Sequence, residues 1–362
     1  MEENNTPDSP KPNPSRRKFL QVGGSLAIGA VLAGTAGTKL WKMVSNPGKL
    51  FYGNTNPQHS DETFSASAPQ LLAWKLANVF TLQDEINASA ILPISQPTND
   101  KPGTQKNNLL VATSHELALW TLTGTQHTLA TLTDDVRDIA VAEGNIYILH
   151  PSRISVYTSE GKPITSWEAC SDDADYCQLT VTAGRVYVTD AAAKNICIYS
   201  LDGTLQRFVN SPHGFVVPSY SFAITHFGQR IFCSNPGRHL VEEYTLDGDF
   251  IKSWGKTGSK PGEFCGCCNP VYIAFSSSGE LLTSEKGIPR ISCYDADGSF
   301  RTILLDSQAL GGGHEAYDFH LTSGLIVVTK GKNVSIYKYD ESLASRTLCG
   351  QCTVDCPLKV LA

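Results

Sequence analysis

A two-part pattern returns through most of this chain, and its period decides what the chain can fold into. The clearest copy is Gly184-Arg185-Val186-Tyr187-Val188, a short gap, then Ile196-Cys197-Ile198-Tyr199-Ser200-Leu201-Asp202-Gly203. It recurs as 144–148 with 154–161, 228–233 with 241–248, 279–283 with 291–298, and 324–328 with 334–340; Leu117-Ala118-Leu119-Trp120 with Gly124 is an earlier, degenerate copy. The aromatic anchors Trp120, Tyr157, Tyr199, Tyr244, Tyr294 and Tyr337 are spaced 37, 42, 45, 50 and 43 residues apart. Each unit joins short β-branched and aromatic runs through a glycine-containing, mostly acidic turn, which is the signal of a β-hairpin. One such unit cannot bury both of its faces, but units stacked around an axis can, so the repeat predicts a β-propeller. Six anchors predict six blades in an all-β fold, with Trp74–Phe80 as a candidate strand to close the ring.

Within that class the units resemble NHL repeats. The resemblance rests on Tyr244-Thr245-Leu246-Asp247-Gly248-Asp249-Phe250-Ile251-Lys252-Ser253-Trp254-Gly255 and the following Gly262-Glu263-Phe264, and it spans roughly 108–340. It implies a scaffold that serves binding proteins and enzymes alike, so function must come from a site. With 41% hydrophobic and 18% charged residues among 362, the composition is that of a globular protein, and a net charge of −6 argues against nucleic acid as the main partner. The expected organisation is an export signal over 1–38, an irregular proline-broken lead-in over 39–107, the propeller over 108–347, and a cysteine-rich tail over 348–362.

Residues 1–14 are rich in Pro, Asn and Asp and cannot build a core. Ser15-Arg16-Arg17-Lys18-Phe19-Leu20 follows, then an uncharged run from Gln21 to Thr38. A paired arginine before a weakly apolar, Gly/Ala-rich segment resembles a twin-arginine export signal. That resemblance implies export of an already folded protein to the periplasm, often with a cofactor loaded beforehand. Cleavage after Gly34-Thr35-Ala36 and retention as a membrane anchor both stay open.

Eleven cysteines are present, and the placement of eight of them is not that of core residues. Phe264-Cys265-Gly266-Cys267-Cys268-Asn269-Pro270 holds three thiols within four positions, and Cys349, Cys352 and Cys356 sit together near the end of the chain. Counted from the preceding anchor, Cys170, Cys177, Cys265, Cys267, Cys268, His314, Cys349, Cys352 and Cys356 fall 12 to 24 residues on. In a four-stranded blade that slot is the connection from the fourth strand to the next blade, so these residues are expected on one face. Arg153, Lys194, Arg238, His239, Glu285, Lys286 and Lys330 fall in loops that share it and predict either a solvated rim or a positive collar. Cys197, Cys233 and Cys293 fall within strands and are expected to be buried hydrophobes.

Thiols this dense bind metal or a cluster, form disulfides, or perform redox chemistry. Cys349-x2-Cys352-x3-Cys356-Pro357 resembles the later part of a bacterial ferredoxin motif, which implies an iron–sulfur cluster. Arg346 stands where that motif has its first cysteine, so Cys265, Cys267 or Cys268 is expected to donate the fourth ligand, drawing the tail toward that loop. Disulfides are the alternative in an oxidising compartment, with Cys170 and Cys177 as one candidate pair. A single metal with His314 among its ligands is a third possibility.

No nucleotide-binding glycine loop, nucleophile elbow or metalloprotease motif is present. Asp318 and His320 flank a candidate first strand and are expected to hydrogen-bond structurally. The reading placed first is an exported, monomeric redox protein that carries an iron–sulfur cluster and passes electrons to a membrane or periplasmic partner. An NHL-type scaffold stapled by disulfides, gripping protein or another ligand, is the alternative. A metal-dependent propeller lyase or hydrolase is the second alternative.

Overall fold

The computed structural model describes residues 73–93, 107–219, 221–322 and 324–340. The described chain forms six antiparallel sheets of four strands each. The first comprises β2 (Ala88–Pro93), β3 (Asn107–Ala112), β4 (Glu116–Thr121) and β5 (Gln126–Thr131). The second holds β6 (Asp138–Ala142), β7 (Asn145–His150), β8 (Arg153–Thr158) and β9 (Pro163–Glu168). The third holds β10 (Tyr176–Thr182), β11 (Arg185–Asp190), β12 (Asn195–Ser200) and β13 (Leu205–Val209). The fourth holds β14 (Ile224–Phe227), β15 (Arg230–Asn235), β16 (Leu240–Thr245) and β17 (Phe250–Trp254). The fifth holds β18 (Tyr272–Phe275), β19 (Leu281–Glu285), β20 (Arg290–Tyr294) and β21 (Phe300–Leu305). The sixth takes β22 (Asp318–Thr322), β23 (Leu325–Lys330) and β24 (Asn333–Tyr339) from the end of the described chain, and β1 (Trp74–Thr81) from its beginning.

The innermost strands β2, β6, β10, β14, β18 and β22 touch in turn around a closed ring, so the fold is a six-bladed propeller. All six anchor aromatics lie on third strands, as the repeat predicts. β1 pairs antiparallel with β24, from Trp74 opposite Tyr339 to Thr81 opposite Asn333, and joins the two ends of the ring. The stretch 39–107 holds β1, where a ring-closing strand is expected, and, differing from the sequence reading, also β2 and the first residue of β3. β1 is an edge strand with mostly exposed side chains, and Ala88-Ser89-Ala90-Ile91-Leu92-Pro93 is short and lacks aromatics. Neither carries the two-part pattern that marks the later blades. Residues 1–38 and 341–362, with the expected export signal and the tail cysteines, lie outside the described residues.

The core is divided among the clefts between blades. Residues of two adjacent sheets make each cluster, as where Val156 of β8 meets Val188 and Cys197 of the third sheet. Middle strands are therefore buried on both faces, which is why Ile146-Tyr147-Ile148-Leu149 is continuously apolar rather than alternating. Each such aliphatic side chain contributes about 1.5–3 kcal/mol on burial. The turn glycines lock neighbours together. Gly203 has φ 86°, and a Cβ there would lie 2.6 Å from the ring of Trp167 on the preceding blade. Gly298 receives Trp254 in the same way.

Candidate functional site

The connection from β17 to β18, residues 255–271, is long and yet fastened along its length. Phe264 is fully buried and packs against Trp254 and Tyr294. Its amide donates to the Lys256 carbonyl at 2.7 Å, and its own carbonyl accepts from Gly258 at 3.0 Å. Beneath the loop, Arg290 at the start of β20 pairs with Glu285 at the end of β19, with side-chain exposures of only 4% and 0%. The Arg290 guanidinium also donates to the carbonyls of Ser259, Lys260 and Glu263. Burial pushes the Glu285 carboxyl up, and the Arg290 partner works against that shift. A buried ion pair thus supplies spare donors to three carbonyls of the loop.

The thiol-bearing end is held by Asn269, which is fully buried. Its Nδ2 donates to the Cys265 carbonyl at 2.6 Å and to the Lys286 carbonyl at 2.8 Å, while its Oδ1 accepts from the Lys286 amide at 2.9 Å. His239, in the left-handed region at φ 59°, shares a 2.8 Å hydrogen bond between Nε2 and the Gly266 carbonyl, and its Nδ1 lies 2.9 Å from Thr257 Oγ1. Cys265 Sγ lies 3.5 Å from the Lys286 carbonyl.

Cys267 is exposed and Cys268 buried, with their sulfurs 3.1 Å apart, and Ser219 Oγ lies 3.3 Å from Cys268 Sγ. Burial alone would push the Cys268 thiol up. Hydrogen bonds from Lys286, Ser219 and Cys267, together with the Lys286 charge, outweigh it and hold the thiol below its ordinary range. Cys267 moves the other way, because it donates to Cys268 and is partly desolvated. The two thiols of the pair are thus driven apart, Cys268 lowered and Cys267 raised. That is the electrostatic condition for metal ligation or nucleophilic thiol chemistry.

His314 is brought beside this loop by its backbone, whose carbonyl accepts from Gly287 at 2.8 Å, but its side chain is exposed. Among the described residues no group of three or more donors converges as a metal site. Cys349, Cys352 and Cys356 lie outside the described residues. The Cys170–Cys177 pairing is not what the structure brings together. Cys177 lies on the side of β10 opposite Tyr176, in the next cleft, with its Sγ 3.7 Å from the Asp175 carbonyl. Cys170 Sγ lies instead 3.9 Å from Cys197 Sγ. The charged rim residues are largely engaged: Glu285 is internal, Arg153 pairs with Asp134, Arg238 holds the Gly214 carbonyl, and Lys330 lies 4.3 Å over the Tyr317 ring. Sequence reasoning missed Asn269, Ser219 and Arg290. Asn269 stands inside the cysteine motif and could have been asked for partners; Ser219 arrives from a distant loop and leaves no local signal.

A second polar group lines the channel. Ser89 Oγ lies 3.0 Å from Asp318 Oδ2, 2.8 Å from His320 Nε2 and 3.3 Å from Thr329 Oγ1. Asp138, which accepts the Leu179 amide at 2.9 Å, is pushed up to about 7, mainly by burial and further by the Asp318 charge.

No family model matches the sequence, and no curated protein does. Solved structures resemble it in fold. A Bacteroides thetaiotaomicron protein of unknown function is 11% identical, with 71% of this chain and 70% of that one covered at a TM-score of 0.53. A Xanthomonas campestris gluconolactonase is 16% identical, covering 73% and 94% at 0.51. A Staphylococcus aureus virginiamycin B lyase is 12% identical, covering 73% and 99% at 0.49. At these identities the resemblance is one of overall architecture.

Proposed function

We propose that this chain is an exported redox protein whose working centre is built on the thiols of the β17–β18 loop. One observation carries the reading: the loop is fixed by Arg290, Phe264, His239 and Asn269, and what it presents is a vicinal thiol pair with the Cys268 thiol lowered. A structural cysteine needs neither a lowered thiol nor a cationic neighbour. The thiol chemistry of this loop suits iron: of Cys265, Cys267 and Cys268, Cys268 with its lowered thiol would donate one thiolate to an iron–sulfur cluster, with Cys349, Cys352 and Cys356 supplying the other three. Such a cluster supplies one-electron transfer; the propeller supplies a rigid face for a membrane or periplasmic redox partner. The twin-arginine pattern at Arg16 and Arg17 supports export of the chain already folded.

The test is metal content in full-length protein purified without oxygen. Wild type is expected to carry iron and acid-labile sulfide, and Cys268→Ser and Cys352→Ser each to lose most of both while the propeller stays folded. Iron unchanged in both variants would remove these residues from the site.

A second reading, a propeller hydrolase or lyase, is favoured by Asp138. A carboxyl held near 7 can give or take a proton at neutral pH, and it stands in the channel wall beside Asp318 and His320. The expected sign is turnover of a sugar lactone whose rate has a limb near 7 and is lost in Asp138→Asn. A panel of lactones left intact by wild type would contradict it.

A further inference from the structure

We propose that Cys170 and Cys197 are an oxidisable pair that closes into a disulfide joining the β9–β10 connection to the third blade. Their sulfurs lie 3.9 Å apart, and a bonded pair needs about 2 Å. The movement required falls on Cys170, which is exposed in the connection over 169–175, whereas Cys197 is fully buried in β12 between the pairings with Val188 and Phe208. Tyr176 steers the loop. Its hydroxyl accepts the Cys170 amide at 3.4 Å and donates to the Cys170 sulfur at 3.9 Å, and it also shares a short hydrogen bond with the Tyr199 hydroxyl. Cys170 is therefore aimed at β12 by contacts that do not depend on the sulfur pair.

The chemistry needs a partner disulfide as oxidant. The exposed Cys170 thiolate attacks it, forming a mixed disulfide and releasing one partner sulfur as thiolate. Cys197, once deprotonated, attacks the Cys170 sulfur, the protein disulfide forms, and the second partner sulfur leaves. Two protein thiols give up two electrons and two protons, and the oxidant's disulfide is reduced to two thiols. The first step has open access. The second is set by Cys197, whose thiol is pushed up by burial and by the neighbouring Cys170, so closure should quicken as pH rises. The product spans a blade boundary, since Cys170 follows β9 of the second blade and Cys197 sits in the third strand of the next.

The test incubates full-length protein with oxidised glutathione, blocks remaining thiols, and maps peptides without reduction. A Cys170–Cys197 cross-linked peptide, two hydrogens lighter than its separate halves, is the expected product. It should persist in Cys177→Ser and vanish in Cys170→Ser, an exposed and therefore well tolerated change. A lasting glutathione adduct on Cys170 with Cys197 still alkylatable after unfolding would overturn the proposal. So would a Cys170–Cys177 cross-link. Neither outcome depends on iron, so this result and that for the loop thiols stand or fall separately.

Discussion

The β9–β10 and β17–β18 connections leave equivalent strands on the same face of the propeller, and they begin alike. Trp167 and Trp254 each cover the turn glycine of the following blade, Gly203 and Gly298. In the blade each connection enters, Asn195 opens the third strand β12 and Arg290 opens the third strand β20. They part at the pair across that hairpin, Asp190 opposite Asn195 and Glu285 opposite Arg290. Buried Glu285 draws Arg290 inward, where its remaining donors hold three loop carbonyls. Asp190 faces the neutral Asn195 instead, and its Oδ1 accepts from the amides of Asp175, Ala192 and Ala193. Arg153, in the blade that the β9–β10 connection leaves, turns outward to Asp134 with 31% of its side chain exposed. A buried arginine at the hairpin end, where the other connection meets an asparagine, thus goes with the long, fastened loop that presents a thiol pair.

The largest expected effect comes from breaking the buried pair. Arg290→Met leaves Glu285 without its counter-charge and should cost about 3–5 kcal/mol in denaturant unfolding, with faster alkylation of Cys267. Arg153→Met, which breaks an exposed pair instead, should cost no more than about 1 kcal/mol. Equal losses in the two variants would erase the comparison. Asn269→Ala removes the link between the Cys265 and Lys286 segments and should cost about 1–3 kcal/mol by leaving buried backbone groups unpaired. Its thiols should become more reactive even where the propeller melts cooperatively, and unchanged reactivity would mean the loop is held without it.

Smaller effects follow from charge. Lys286→Gln removes the cation beside Cys268, so the pH at which that thiol alkylates should move upward, with Cys170 as the internal control that stays in place. For His150, the folded form resists protonation, so the unfolded chain binds the proton more readily. Stability from this residue is present above the ordinary histidine value of 6.5 and falls as pH drops below it. His150→Gln should flatten that acid limb in thermal melts, and an unaltered limb would locate the acid sensitivity elsewhere.

The architecture was legible because a propeller writes itself as a repeat. The anchor aromatics, the turn glycines and the loop slot after each fourth strand could all be counted along the chain. β2 was not, since a short Ala/Ser-rich innermost strand has no pattern of its own. The site was legible as a place but not as an arrangement. Thiol density marked 265–268, whereas the contacts of Asn269, Ser219 and Arg290 exist only once distant segments have packed. The neighbour of Cys170 was not legible from sequence proximity. Strand alternation from Tyr176 carries Cys177 to the opposite face and leaves Cys197, which had looked like plain core, within reach.

X-ray absorption at the iron edge, on full-length protein isolated without oxygen, asks most directly whether the fastened loop serves a redox centre. A first shell of sulfur with iron as the next scatterer is expected, and Cys268→Ser should abolish it. A protein that carries no iron, or iron with only oxygen and nitrogen neighbours, would contradict a cluster held by these thiols.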